Sequence, residues 1–198
     1  IIELDDTNLD NWIDIHFLFQ KNIDTTAKSD IIRILLLSSH GGVWVDSTLY
    51  CTKPLNTWLH KYTTNGFWAF SDPGKDRKLS SWFIYGDKHN FILLKWKEYV
   101  LNYWKTHDKK HTYYWFHYLF NDLYNTDISV ANTWNSTPRI KSEKSHIFVP
   151  YPKNLHTPLK SAIKIDIDKN DTPVYKLTYK NTNEIIKNSN LEYLLTNL

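Results

Sequence analysis

Between Thr25 and Asp46 the chain runs through an almost wholly apolar helical pattern, a pair of glycines and a β-branched, aromatic triplet, and that order narrows what it can fold into. Ile31, Ile32, Ile34, Leu35, Leu36 and Leu37 cover most of a helix's circumference, which predicts a largely buried helix. Thr25 or Thr26 supplies a hydroxyl for its N-cap. Gly41-Gly42 stops it, because glycine accepts the left-handed conformation that a helix end favours. Val43-Trp44-Val45 then reads as a buried strand, and Pro54 closes the extended segment that follows. Helix, glycine turn, strand and acidic residue make an α/β arrangement. Asp46 is expected at the C-terminal end of that strand, where open α/β sheets hold their ligands.

The rest of the chain gives coarser signals. In the opening stretch, Ile13, Ile15, Phe17 and Phe19 alternate with Asp14, His16 and Leu18, a pattern that suits a short strand or a helix edge. Phe67 to Phe70 and Trp82 to Tyr85 read as two strands, separated by a polar stretch opening with the turn Ser71-Asp72-Pro73-Gly74. Phe91 to Lys105 has helical periodicity, with Ile92, Trp96, Tyr99, Val100 and Tyr103 on one face. Thr112 to Tyr124 predicts a second, strongly aromatic helix. Beyond Thr126 the strand candidates are Ile147-Phe148-Val149 and Pro173 to Tyr179, and Leu191 to Leu195 suits a short closing helix.

Composition excludes more than it selects. At 198 residues and 41% hydrophobic content the chain can bury one sizeable core. A net charge of +3, with lysines scattered among acids, calls for no nucleic-acid partner. The single cysteine, Cys51, rules out an internal disulfide framework and fits a reducing compartment. No apolar run approaches the roughly 20 residues of a membrane-spanning helix, although peripheral membrane contact stays open. The chain opens on Ile1 and contains no methionine, so further residues are expected to precede it. Nine tryptophans and thirteen tyrosines would suit stacking on sugar rings, or simply an aromatic core.

Chemistry concentrates in the same block as the fold signal. Asp30 and Arg33 are three residues apart and share a helix face, which suits an ion pair. Asp46 and Thr48 alternate as the strand emerges, so both oxygens project to one side. Two oxygen-bearing groups at that spacing can share a divalent cation that bridges a diphosphate. Trp82 and Trp44 can stack on a base or a sugar, although Trp44 belongs to the buried strand. His117 can face an acceptor or be satisfied within the core. Asp166 and Asp168 lie in a stretch like a calcium loop, but the required glycine and terminal glutamate are absent. There is no glycine-rich phosphate loop, zinc-type Cys/His spacing or nucleophile elbow.

Ser29-Asp30-Ile31-Ile32-Arg33, followed by apolar residues and Gly41-Gly42-Val43-Trp44-Val45-Asp46-Ser47-Thr48, resembles the S-D-x-x-R…G-G-x-[WY]-x-D-x-[DT] signature of the capsular-polysaccharide-synthesis glycosyltransferases. These are relatives of the DXD-containing glycosyltransferase family 32, which includes yeast-type mannosyltransferases, and of the clostridial glucosylating toxins. The run Tyr113 to Phe120 and the segment Val174-Tyr175-Lys176-Leu177-Thr178 look like that family too. The resemblance implies a GT-A-like nucleotide-diphospho-sugar transferase fold, Rossmann-like and flanked by helices. It implies a single catalytic domain over 1–198, with a nucleotide-sugar core at 1–125 and a closing, acceptor-side segment at 126–198.

Carried over residue by residue, the resemblance makes Asp30, Arg33 and Asp46 the catalytic residues. Asp30 and Arg33 hold donor-sugar hydroxyls, and Asp46 and Thr48 hold a manganese or magnesium ion. Asp46 and Lys176 contact the nucleotide, with Lys176 and Thr178 able to close over the phosphates; Trp82, outside the matched motifs, is the stacking candidate for the nucleotide. Thr48 stands where many relatives have a second aspartate, which weakens the metal site. The expected activity is retaining, metal-assisted transfer from a nucleoside-diphosphate sugar to a capsular or related glycan. The expected location is the bacterial cytoplasm, near the inner face of the membrane. The alternative is a carbohydrate-binding module on the same fold.

Overall fold

The computed structural model describes residues 3–5, 7–16, 21–180 and 184–197. In chain order its main elements are helix α1 (Thr25–His40), strands β1 (Gly42–Val45), β2 (Leu49–Cys51), β3 (Phe67–Gly74) and β4 (Arg77–Gly86), and helices α2 (Phe91–Thr106), α3 (Trp115–Thr126) and α4 (Ile128–Ser136). Then come helix α5 (Ser161–Asp168), strand β5 (Val174–Lys176) and helix α6 (Asn190–Thr196). The fold is mixed α/β. The hairpin β3–β4 and the pair β2–β5 are antiparallel. The chain divides into two compact units, one of Ile1–Trp44 with Tyr62–Arg139 and one of Val45–Lys61 with Ile140–Leu198.

In the first unit a sheet ordered β1-β4-β3 is covered by helices. Its core joins Ile31, Ile34 and Leu35 of α1 to Ile92, Trp96 and Val100 of α2 and to Phe116, Phe120 and Leu123 of α3, with Phe67, Ala69 and Ile84 from the hairpin. The helical periodicities read in the sequence are therefore the packing faces. Strand β1 differs from expectation: it is a sheet edge, and Val45 is exposed instead of buried. The hairpin also reverses later than expected. Ser71–Gly74 continues β3 through two register shifts, and the turn falls at Lys75-Asp76. Helix α3 starts at Trp115, three residues after the predicted Thr112.

The ends of α1 show why it stops where it does. Gly41 has φ +70°, and a Cβ there would lie 2.5 Å from the Lys88 backbone nitrogen, so glycine is required twice over. At the other end the cap is Asp24, neither of the threonines proposed from sequence. Its carboxylate accepts from the backbone N–H groups of Thr26 and Ala27 at 3.1 and 3.2 Å. The Thr26 hydroxyl donates to the same oxygen at 2.6 Å and the Lys110 ammonium at 2.9 Å.

Partial burial pushes the Asp24 carboxyl upward, but the bonds from Thr26, Lys110 and Ala27 outweigh it and hold it at about 2, below the ordinary 3.8. A depressed folded-state value means that the stabilisation is present above pH ~4 and is lost as the pH falls toward 2. Because 46% of the Asp24 side chain is in solvent, screening limits the effect to the size usual for a cap. Asp24→Ala is expected to cost about 1 kcal/mol at pH 7. In urea titrations, the gap between wild type and variant should close as the pH is lowered through 4 to 2.

The second unit has its own core, in which Tyr50, Phe148, Leu155, Ile167, Tyr175, Leu191 and Leu194 pack together. Ile147-Phe148-Val149 is not a strand: the chain turns there, and Phe148 is buried by that turn. Helix α6 confirms the expected closing helix and is capped by Ser189, which accepts from Glu192 N–H at 3.2 Å. Asp166 and Asp168 lie on α5, with no calcium-loop geometry. Asp166 accepts hydrogen bonds from the Thr172 and Tyr175 hydroxyls, while Asp168 pairs with Lys164 and Tyr193. In the opening stretch Ile13 and Ile15 are buried after a short 3₁₀ turn at Leu9–Asn11. Phe17, Leu18 and Phe19 lie outside the described residues.

Candidate functional site

Strand β2 begins one residue after Thr48, and it is paired with β5 in the register Leu49↔Lys176, Tyr50↔Tyr175 and Cys51↔Val174. The pairing continues past both ends: Leu177 N–H donates to the Thr48 carbonyl at 2.8 Å, and Thr52 N–H to the Pro173 carbonyl at 3.1 Å. Side chains alternate along the ladder. Tyr50 and Tyr175 are consequently buried in the second core, while Leu49 and Lys176 belong to the other face. Thr48 and Lys176, 128 positions apart in the chain, are in this way set side by side.

The Lys176 ammonium donates to Asp46 Oδ2 at 2.8 Å and to Thr48 Oγ1 at 2.6 Å. Its side chain is 18% exposed and that of Asp46 27%, so the cluster is sheltered but open to a ligand. The backbone beneath it is pinned. Tyr151 donates its hydroxyl to the Lys176 carbonyl at 2.6 Å, and burial pushes that phenol well above its ordinary range. Next to Lys176, burial and the hydrogen bond to Asp166 likewise raise the Tyr175 phenol, whose ring meets Phe148 edge-on with centroids 5.6 Å apart. An ammonium has three N–H donors. Asp46 and Thr48 are its acceptors among the described residues, and they use two of the three donors.

Asp46 and Thr48 offer a metal ion one carboxylate and one hydroxyl. Among the described residues no group of three or more His, Cys, Asp or Glu side chains converges, and the ammonium already occupies the notch between the two oxygens. A dication sharing those oxygens would stand about 4 Å from the ammonium, a repulsion of roughly 8 kcal/mol at an effective dielectric constant of about 20. As arranged, these residues do not fit a divalent ion.

The first unit holds the other half of the sequence signature. Asp30 and Arg33 form the expected ion pair on α1, with side chains 15% and 5% exposed. The Arg33 guanidinium also lies 4.8 Å from the Trp44 ring centroid and 5.6 Å from that of Phe116, so its charge is held by a carboxylate and two aromatic faces. Trp82 is buried against Phe70, with ring centroids 4.6 Å apart and planes 29° from parallel. His117 meets Tyr114 edge-on at 5.6 Å. Thr178 accepts from Lys180 N–H in a local turn. The structure thus brings together Asp30 with Arg33, and Asp46 with Thr48 and Lys176. Tyr151 was not anticipated, and no sequence pattern marks it.

A mixed α/β chain thus displays a carboxylate, a hydroxyl and an ammonium together on one partly open strand ladder. Over residues 1–195 the chain matches the family described as capsular polysaccharide synthesis protein, and it belongs to that family. Its biological setting is accordingly capsular polysaccharide synthesis. No match was found among curated proteins or among solved structures. No helix among the described residues is long and apolar enough to cross a membrane.

Proposed function

We propose that the protein is a glycosyltransferase with a GT-A-like catalytic core, moving a sugar from a nucleoside-diphosphate donor to a capsular polysaccharide or a related glycan. The observation that carries this reading is the Lys176 ammonium held between Asp46 and Thr48, within the segment of the chain that matches the family. In such a transfer the bond between the anomeric carbon and the β-phosphate oxygen breaks, and its electron pair leaves on the diphosphate. The acceptor hydroxyl attacks the anomeric carbon and gives up its proton to the departing β-phosphate oxygen. A preorganised cation beside the departing oxygen stabilises the charge that develops there. The reading includes retention at the anomeric carbon and a reaction in the cytoplasm at the inner face of the membrane, and it assigns no protein nucleophile.

The test is release of nucleoside diphosphate from UDP-, GDP- and dTDP-sugars, with water or capsular fragments as acceptor. Asp46→Asn is expected to lower release at least ~100-fold, the loss typical when a group organising transition-state charge is removed. Binding of glycan fragments without nucleotide, together with no release from any donor, would instead identify a carbohydrate-binding module.

A further inference from the structure

The Asp46–Thr48 notch and its lysine imply more than a nucleotide contact. We propose that Lys176 is the resident counter-charge of this site, so that the diphosphate of the donor binds against its ammonium with no divalent cation required. The inference rests on the transferase reading above and concerns how that site handles charge.

Three features of the site lead there. The ammonium sits on the same two oxygens that a bridging metal would need, at 2.8 and 2.6 Å. Thr48 supplies a neutral hydroxyl where a second carboxylate would have favoured a dication. The lysine is also built in. Its residue is locked in the β2–β5 register opposite Leu49, and its carbonyl is clamped by the buried Tyr151 hydroxyl. Its Cα is therefore fixed while the flexible side chain can follow a phosphate. Asp46 and Thr48 hold the ammonium in place before a ligand arrives, which lowers the ordering cost of binding. The third N–H is the one to point at a phosphate oxygen, a charge-assisted bond of the stronger kind.

The proposal makes Asp46 and Lys176 differ in a way that a metal site would not allow. Where a cation is bound by Asp46, loss of the carboxylate abolishes binding. Where Lys176 is the cation, Asp46→Asn removes a competing negative charge and leaves diphosphate binding intact, while transfer still suffers from the loss of lysine positioning.

The experiment is calorimetric titration with UDP, GDP, dTDP and inorganic pyrophosphate, each in EDTA and in excess manganese or magnesium, on wild type, Lys176→Met, Lys176→Gln, Lys176→Arg and Asp46→Asn. At least one nucleotide should bind wild type in EDTA with a Kd within about threefold of its value with metal. Lys176→Met, which keeps most of the stem, should weaken binding in EDTA about 30-fold, the share of one charge-assisted contact, and Lys176→Arg should recover most of it. Asp46→Asn, which removes a competing negative charge but also loosens the lysine, should bind in EDTA within about threefold of wild type. Near-native thermal unfolding of Lys176→Met would show that the loss is local, and Lys176→Gln carries the same comparison if Lys176→Met fails to fold. Nucleotide binding by wild type only when metal is present would overturn the proposal and leave the transferase reading standing, as would unaltered binding by Lys176→Met in EDTA. Absence of nucleotide binding under every condition would remove both.

Discussion

Replacing Trp96 by alanine is expected to lower the stability of the first unit by about 3–5 kcal/mol, the range for deleting a large buried aromatic. Trp96 is fully buried. Its ring stacks on Phe116 with centroids 4.1 Å apart, meets Phe120 edge-on at 5.0 Å, and its indole N–H donates to the Phe116 carbonyl at 3.3 Å. Helices α2 and α3 meet at this point, so a cavity here separates two elements and cannot close by a rotamer change alone. Phe116 also carries one aromatic face beneath the Arg33 guanidinium, so the damage should reach the ion pair on α1. In urea, the unfolding transition that reports on this core should move to lower denaturant. Trp96→Phe should cost markedly less, because it keeps the stack and loses only part of the volume. An unshifted transition in Trp96→Ala would mean that the α2–α3 contact does not hold the unit together. The core around Phe148 and Tyr175 is made of separate residues, and a near-ultraviolet signal from it should be left unchanged.

How much of this was readable beforehand depended on the distance over which each signal acts. The burial of α1, its stop at Gly41 and the packing face of α2 follow from periodicity and from backbone freedom, which are local properties of the chain. The N-cap was missed by one residue because Asp24, Thr25 and Thr26 can all cap a helix. What decided the matter is a three-way network with Lys110, more than eighty residues away. The late reversal of the hairpin has a similar origin. Ser71-Asp72-Pro73-Gly74 carries turn residues, and Asp72 does adopt a positive φ of 54°, but pairing of Ser71 with Leu79 and of Gly74 with Arg77 absorbs the irregularity as bulges within the strand. Ile147-Phe148-Val149 has strand-like composition, yet it pairs with no strand among the described residues, and Phe148 is buried from a turn instead. In the candidate site, the pairing of Asp30 with Arg33 was legible from helical spacing. The seating of Lys176 on Asp46 and Thr48 was not, because it depends on the β2–β5 register, and no one-dimensional pattern records which strand will lie beside which.

Removal of either member of the Asp30–Arg33 pair is expected to be costly, and removal of both much less so. Both side chains are sheltered from water, at 15% and 5% exposure, and the guanidinium is flanked by Trp44 and Phe116. Taking away the Asp30 carboxylate leaves a buried cation without that counter-charge, and Asp30→Leu should cost about 3 kcal/mol or more. Arg33→Met fills the slot between the two rings with an apolar chain but takes the guanidinium away from the carboxylate, with a similar penalty. Asp30→Leu combined with Arg33→Met exchanges the ion pair for an apolar contact of comparable volume, and most of the lost stability should return. Measured by urea unfolding, the three variants form a double-mutant cycle whose coupling energy is the structural worth of the pair. The same proteins, assayed for nucleoside diphosphate release, separate structure from chemistry. The expected result is a double variant that is folded and stable yet releases diphosphate at least ~100-fold more slowly than wild type, since an apolar pair cannot hydrogen-bond the hydroxyls of a donor sugar. A double variant that regained activity along with stability would make the pair a structural element of α1 and nothing more. The S-D-x-x-R part of the signature would then describe how this helix is packed, and donor recognition would have to be sought in other residues.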